Sequence, residues 1–275
     1  MSYSNFTLSS FLGRPVCLYK FAWGGQVWRY TSADRDIEYP ADSGVMWTAI
    51  PISDNGFTQG VEQEPFVVTL PRILEFVQLF KGTPPSTSIA MIAYRFQKDD
   101  PDNEATVYWI GTIGSVKGID AVKAEVTGLS ISQTIRRTGN RVGWEVNCPH
   151  ALFDAGCRLI KADYGTDTEI TDITGANITL AAVTLAPAQY AGGFIEWDAT
   201  GLGSFDRRPI DSLVGGTTFA LLGRADRLEV GQTVTIYPGC DLSAETCDGV
   251  FNNLPNHGGF KFMSKKSPFD GNPIY

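Results

Sequence analysis

Val16-Cys17-Leu18-Tyr19-Lys20-Phe21, then Gly24-Gly25, then Val27-Trp28-Arg29-Tyr30 is the stretch on which the fold class turns. β-branched and aromatic residues alternate on both sides of a glycine pair, and two such runs joined by a short glycine turn form a hairpin. The same signature recurs at Phe66 to Leu70, Ser88 to Tyr94, Thr106 to Ile110 and Ala124 to Leu129. Strands at this spacing fit a sandwich or a barrel. One segment departs from it. Between Pro71 and Gly82, residues Ile73, Phe76, Val77 and Phe80 recur on one helical face, which predicts a short helix over Arg72 to Phe80 capping the β domain. The first part of the chain is therefore expected to be a β-barrel-like domain.

The character changes after Gly139-Asn140, and two domains are expected, residues 1–139 and 140–275. A compact segment, Cys148-Pro-His-Ala-Leu-Phe-Asp-Ala-Gly-Cys157, opens the second. A further β-rich stretch runs from Ile170 to Tyr237. From Cys240 onward Gly, Pro, Asn and Ser dominate without lasting periodicity, which reads as irregular structure needing something other than a ladder to fix it. No repeat or low-complexity tract is visible.

Composition narrows the class. A chain of 275 residues with 43% apolar, 12% aromatic and 19% charged residues has enough apolar surface for two folded domains. The net charge of −8 argues against direct nucleic-acid binding, which depends on clustered Lys and Arg. Lys261 to Lys266 holds three Lys in six residues but is interrupted by Phe262 and Met263, and reads as a solvated tail. Met1 to Thr7 lacks the pattern of a signal peptide. The apolar run Ala176 to Ala188 is broken by Asn177, Thr179, Thr184 and Pro187, so no membrane span is expected. A soluble protein made in a reducing cytoplasm follows, in which cysteines are better read as free, catalytic or metal-bound than as a disulfide framework.

Four of the five cysteines fall in two pairs. Cys148 and Cys157 are separated by eight residues, Cys240 and Cys247 by six, and the pairs by 82. Each lies beside turn formers: Pro149, Gly156, Pro238-Gly239 and Asp248-Gly249. Such loops let thiolates converge and backbone N–H groups point at sulfur, as a charged metal–thiolate centre requires. Four thiolates satisfy a tetrahedral zinc or a four-iron cluster. Structural zinc favours pairs two to four residues apart, and the longer gaps suit a larger centre. Four buried structural thiols, or a disulfide pair, are the alternatives on the residues alone.

The remaining candidates read as structural. Cys17, between Val16 and Leu18, is expected to be a buried hydrophobe. His150 and His257 lie in the cysteine segments, which makes a Cys–His hydrolase imaginable, but no third orienting group is signalled. His150 is expected to pack or hydrogen-bond near the centre rather than ligate. Asp99, Asp100 and Asp102 read as a solvated loop, without the spacing of a calcium loop. Gly24-Gly25 and Gly192-Gly193 are turn or bulge glycines rather than a phosphate cradle. The six Trp residues are expected mostly in the core.

Cys148 to Cys157, Gly192-Gly193-Phe194-Ile195, Pro238-Gly239-Cys240-Asp241, Cys247, Phe251-Asn252-Asn253 and Gly258-Gly259-Phe260 together resemble the C-terminal domain of the hub proteins of long-tailed phages and gene transfer agents, a group similar to minor tail protein L of lambda-like phages. The resemblance covers residues 140 to 275 specifically, and the first 140 only through their β-rich, hub-like character. Asn256-His257 departs from the aromatic that group usually carries before its Gly-Gly pair. The resemblance implies a [4Fe-4S] cluster on Cys148, Cys157, Cys240 and Cys247 and a structural, non-enzymatic role. It also implies a virion tail-tip location after assembly in the host cytoplasm, and a homotrimeric ring between a distal tail protein and a larger central, receptor-facing hub protein. An iron–sulfur electron-transfer or redox-sensing protein, a zinc-stabilised structural protein and a cell-wall hydrolase are the rival readings.

Overall fold

The computed structural model of the chain describes residues 15–56, 65–97, 104–131 and 143–263. It divides into two compact units, Met1–Arg137 with Asp198–Asp206, and Thr138–Trp197 with Arg207–Tyr275. Both are mainly β.

The first unit is built from β1 (Pro15–Trp23), β2 (Gln26–Thr31), β3 (Ile37–Glu38), β4 (Met46–Ala49), β5 (Ser53–Asp54), β6 (Phe66–Pro71), a one-turn helix α1 (Glu75–Gln78), β7 (Ala90–Gln97), β8 (Ala105–Gly118) and β9 (Lys123–Ser130). The hairpin read from the sequence forms as β1 and β2, with Trp23 opposite Gln26 across Gly24-Gly25. Gly24 has φ +55°, and a Cβ on Gly25 would lie 2.2 Å from the Leu202 carbonyl oxygen of the Asp198–Asp206 excursion. Both glycines are therefore required, one by backbone conformation and one by close approach.

The strands form a nine-stranded sheet in the order β3-β4-β2-β1-β7-β8-β9-β6-β5. β2 and β4 run parallel, and the other pairs are antiparallel. This corrects the barrel-like expectation for residues 1–139: the first unit is a mixed sheet with two ends, and the closed barrel lies in the second. Alternation on β1 sends Cys17, Tyr19, Phe21 and Trp23 into one core, with Phe66, Val68, Met91 and Trp109. Val16 and Leu18 enter another with Trp47 and Phe96. Rings stack within the larger core, Phe21 on Phe76 at 4.2 Å and Phe66 on Trp109 at 4.8 Å.

The helix expected over Arg72 to Phe80 shrinks to α1. Phe76 and Val77 are buried while Ile73 is 85% exposed, because Ile73 precedes the helix and does not share its face. Trp28 Nε1 donates to Glu75 at 2.9 Å, fixing the turn over the sheet.

The second unit contains a closed six-stranded barrel, β10 (Thr166–Thr174), β11 (Asn177–Leu180), β12 (Phe194–Asp198), β13 (Phe205–Gly215), β14 (Thr218–Leu221) and β15 (Thr233–Tyr237), in the order β10-β11-β14-β13-β12-β15. Alternate residues are buried, among them Ile178 and Leu180 on β11, Phe219 and Leu221 on β14, and Val234 and Ile236 on β15. A closed barrel demands this inward alternation and leaves no open edge. After Tyr237 no strand occurs among the described residues; the chain makes a short helix α2 (Ala244–Gly249) and a 3-10 turn at Leu254–Asn256. Asp99, Asp100, Asp102, Lys265 and Lys266 lie outside the described residues.

Candidate metal centre

Cys148 and Cys157 bracket a loop ahead of the barrel, Cys240 follows β15, and Cys247 lies on α2. All four belong to the second unit, all are free thiols, Cys247 is buried and the other three are half-buried. Cys17 is buried in the first unit. There it accepts from the Arg95 guanidinium, which stacks over the Tyr108 ring, while Tyr19 donates its hydroxyl to Asp54 at 2.5 Å. The residue expected as a simple hydrophobe sits in a small polar network, and burial pushes its thiol up despite the Arg95 charge.

Backbone hydrogen bonds sew the two cysteine segments together. Cys148 N–H donates to the Leu242 carbonyl at 2.8 Å and Phe260 N–H to the Glu145 carbonyl at 2.8 Å, while within the second segment Asn253 N–H donates to the Cys247 carbonyl at 2.9 Å. Asp154 accepts from the N–H groups of Ala151 (3.0 Å), Gly156 (2.9 Å) and Cys157 (2.7 Å), tying together the loop between the two cysteines. These donors, Cys157 foremost, hold the Asp154 carboxyl below its usual range. On the other side, Ser243 caps α2 by accepting from Thr246 N–H at 3.1 Å.

Non-glycine residues with positive φ gather here: Phe153 (67°), Arg158 (62°), Leu242 (64°) and Asn252 (47°). A left-handed conformation costs roughly 1–2 kcal/mol at Phe153, Arg158 and Leu242 and less at Asn252, and such strain persists only where the surroundings over-determine it. An aromatic chain anchors the segments to the barrel. Phe194 stacks on Tyr237 at 4.7 Å, Tyr237 meets Phe153 at 6.0 Å, Phe153 meets Tyr164 at 5.9 Å, and Tyr164 meets Phe251 at 5.4 Å.

The other cysteines of the set contribute to the electrostatic environment of the Cys240 and Cys247 thiols. Burial pushes the Cys240 thiol up, the Leu242 N–H donated to its sulfur pulls it down, and Asp241, Cys157 and Cys148 push it further up. Burial also raises Cys247, followed by the charges of Cys240, Cys148 and Cys157. Four thiolates without a cation would repel, and a bound metal inverts that balance. Among the described residues, no three His, Cys, Asp or Glu side chains are drawn in closely enough to hold a single metal ion.

Three N–H groups point at sulfur: Gly258 at Cys148 (3.4 Å), Asn253 Nδ2 at Cys157 (3.7 Å) and Leu242 at Cys240. His150 packs against Gly156 and Gly258. The ring nitrogens of His257 face the Leu242 carbonyl at 3.3 Å and the Gly259 backbone at 3.2 to 3.3 Å, so this ring braces the loops. Asn253 was not singled out from composition or spacing. Its signal is the Phe251-Asn252-Asn253 run, whose importance appears only once Cys157 lies beside it.

Residues 188–267 match the family described as "Phage conserved hypothetical protein BR0599". That span contains Cys240 and Cys247, and not Cys148 or Cys157. Among solved structures, the chain is similar to one in the "Virion of native gene transfer agent (GTA) particle", with a TM-score of 0.72 and 19% identity over 100% of this chain and 99% of that one. A likeness at this identity speaks to the fold. No curated protein matches.

Proposed function

We propose that the chain is a structural component of a phage-type virion, a tail-tip (baseplate hub) ring protein whose cysteine segments are fixed by a structural [4Fe-4S] cluster on Cys148, Cys157, Cys240 and Cys247. The observation that carries the virion role is the likeness of the whole fold, over both units, to a chain of a gene transfer agent virion, joined by the phage family match at residues 188–267. The ring is proposed as a homotrimer between a distal tail protein and a larger central hub protein. Large exposed apolar residues, among them Ile110, Leu129, Ile131, Trp144 and Phe262, suit a protein that works in an assembly.

The chemistry of the donor set favours a cluster over a single ion. Zn–S bonds of about 2.3 Å would draw four sulfurs to about 3.8 Å from one another. The gaps of eight and six residues within the two cysteine pairs are longer than the two to four that structural zinc favours, and a larger centre accommodates such gaps. When bound, the cluster supplies a cross-link between the two loops. The chain supplies the thiolates, the N–H groups that stabilise their charge, and a half-buried setting that limits solvent access.

Metal analysis with an absorption spectrum of anaerobically purified protein tests the cluster: iron and acid-labile sulfide in equal amounts support it, while zinc or empty thiols refute it. Reconstruction of the assembled particle tests the role. A three-fold ring at the tail tip is expected, and a single copy, or none, refutes the hub.

A further inference from the structure

Asn253 is 7% exposed and spends every polar group of its side chain inside the cysteine loops. Its Nδ2 donates to the Cys157 carbonyl at 2.7 Å and to the Cys157 sulfur at 3.7 Å, and its Oδ1 accepts from Asn256 Nδ2 at 2.6 Å. Its own N–H donates to the Cys247 carbonyl at 2.9 Å. One residue therefore holds a cysteine from each pair. The sulfurs of Cys148 and Cys240 are served by backbone N–H groups of Gly258 and Leu242, which no side-chain substitution deletes. The Asn253 amide can be deleted.

We propose that Asn253 is a positioning residue that tunes the metal centre: its amide hydrogen bond to the Cys157 sulfur raises the reduction potential and slows metal loss. The proposal rests on the iron–sulfur reading above. A hydrogen bond to a ligating sulfur withdraws electron density and stabilises the reduced, more negative state, so it raises the potential. The same bond, with the grip on the Cys157 carbonyl, holds the ligand in its bound orientation, and outer-shell partners of this kind change metal affinity by roughly 10- to 100-fold.

The test uses the full chain with its cluster, in the variants Asn253→Leu (similar shape, no donor, no charge) and Asn253→Asp (similar shape, no donor, added charge), with Asn256→Ala as control. Asn256 bonds to Asn253 and touches no sulfur in this network, so its loss loosens the loop without removing the donor. A spectroelectrochemical titration should give a lower midpoint potential for both Asn253 variants, with Asn256→Ala at the wild-type value. Iron transfer to a chelator should be roughly tenfold faster in both. An unmoved potential in Asn253→Leu, or an equal shift in Asn256→Ala, overturns the proposal. Should neither Asn253 variant load iron, Asn253→Ser, which keeps a shorter donor, decides: loading supports the proposal and failure to load overturns it. A wild-type chain without a cluster overturns the parent reading and this one together, whereas a loaded wild type with unmoved variants overturns this one alone.

Discussion

The imidazole of His150 occupies the space that a side chain on Gly156 would need: a Cβ there would lie 2.2 Å from Nδ1. A Cβ on Gly258 would meet the other end of the same ring, 2.6 Å from Nε2, with Pro149 close behind at 3.1 Å. The ring thus packs against both cysteine segments. Gly156→Ala and Gly258→Ala are each expected to destabilise the second unit by about 1–3 kcal/mol, the usual cost of overpacking. His150→Ala should recover much of that cost in either background. Denaturant melts arranged as double-mutant cycles measure it, and a Gly156→Ala protein that melts like wild type would show the contact to be compliant.

Serine substitutions separate the two classes of cysteine. Cys148→Ser, Cys157→Ser, Cys240→Ser and Cys247→Ser are each expected to abolish or sharply reduce bound metal, since a serine hydroxyl does not replace a thiolate ligand. Cys17→Ser should leave metal content unchanged, because Cys17 belongs to the other unit and faces Arg95. Metal per chain by elemental analysis reads both. Equal loss in Cys17→Ser, or full retention in any of the other four, contradicts the ligand assignment.

The strands were legible where burial alternates locally: Phe66 to Leu70 and Ala124 to Leu129 pair with each other as β6 and β9. What long-range pairing decides was not. β3 and β5 are two-residue strands with no periodicity to read, and whether a sheet closes depends on its end partners rather than on any one segment. The excursion Asp198–Asp206 joins the first unit although its neighbours in sequence form the barrel. Its long-range contacts reveal that: packing on Gly24 and Gly25, and the Ser204 hydroxyl donating to the Trp23 carbonyl. At the candidate site, paired cysteines and flanking turn formers were visible. The roles of Asn253 and Gly258 were not, because each depends on segments about 100 residues apart meeting in space, and those of Asp154 and Gly156 were not, because they lie in a tight local loop with no periodicity to read.

Asp198 gives the excursion a pH dependence. Its carboxylate accepts from the N–H groups of Gly203 (2.8 Å), Gly201 (3.0 Å), Ser204 (3.1 Å) and Thr200 (3.2 Å). These donors, Gly203 first, outweigh burial and hold its pKa below the ordinary carboxylate value. A depressed folded-state pKa contributes stability that is present above the unfolded value of about 3.9 and is lost as pH falls through the lower folded value. Asp198→Asn should therefore be less stable than wild type near neutral pH, with the gap closing as both are acidified below about pH 4. Melting curves across that range check the sign; a gap that widens on acidification is the contrary result.

Removing the metal should loosen Cys240 to Met263 and the Cys148–Cys157 loop while the barrel and the nine-stranded sheet keep their protection. Bond density differs sharply between these parts of the chain. Thr166 to Tyr237 is closed by ladders on every side, and the sheet of the first unit shares no cysteine of the proposed site. Beyond Tyr237 the described chain has one six-residue helix and one 3-10 turn. It is held to the segment of the first cysteine loop by a few hydrogen bonds, through Leu242, Asn253, Gly258 and Phe260, and to Tyr164 beyond that loop by the Tyr164–Phe251 contact. Four non-glycine residues in the same loops have positive φ, and the proposed cross-link would help to hold them closed. Hydrogen exchange on holo and metal-stripped protein, compared peptide by peptide, reads this directly. Uniform loss of protection would mean that the chain opens as one cooperative unit, and unchanged protection in the cysteine segments would mean that the centre does no structural work.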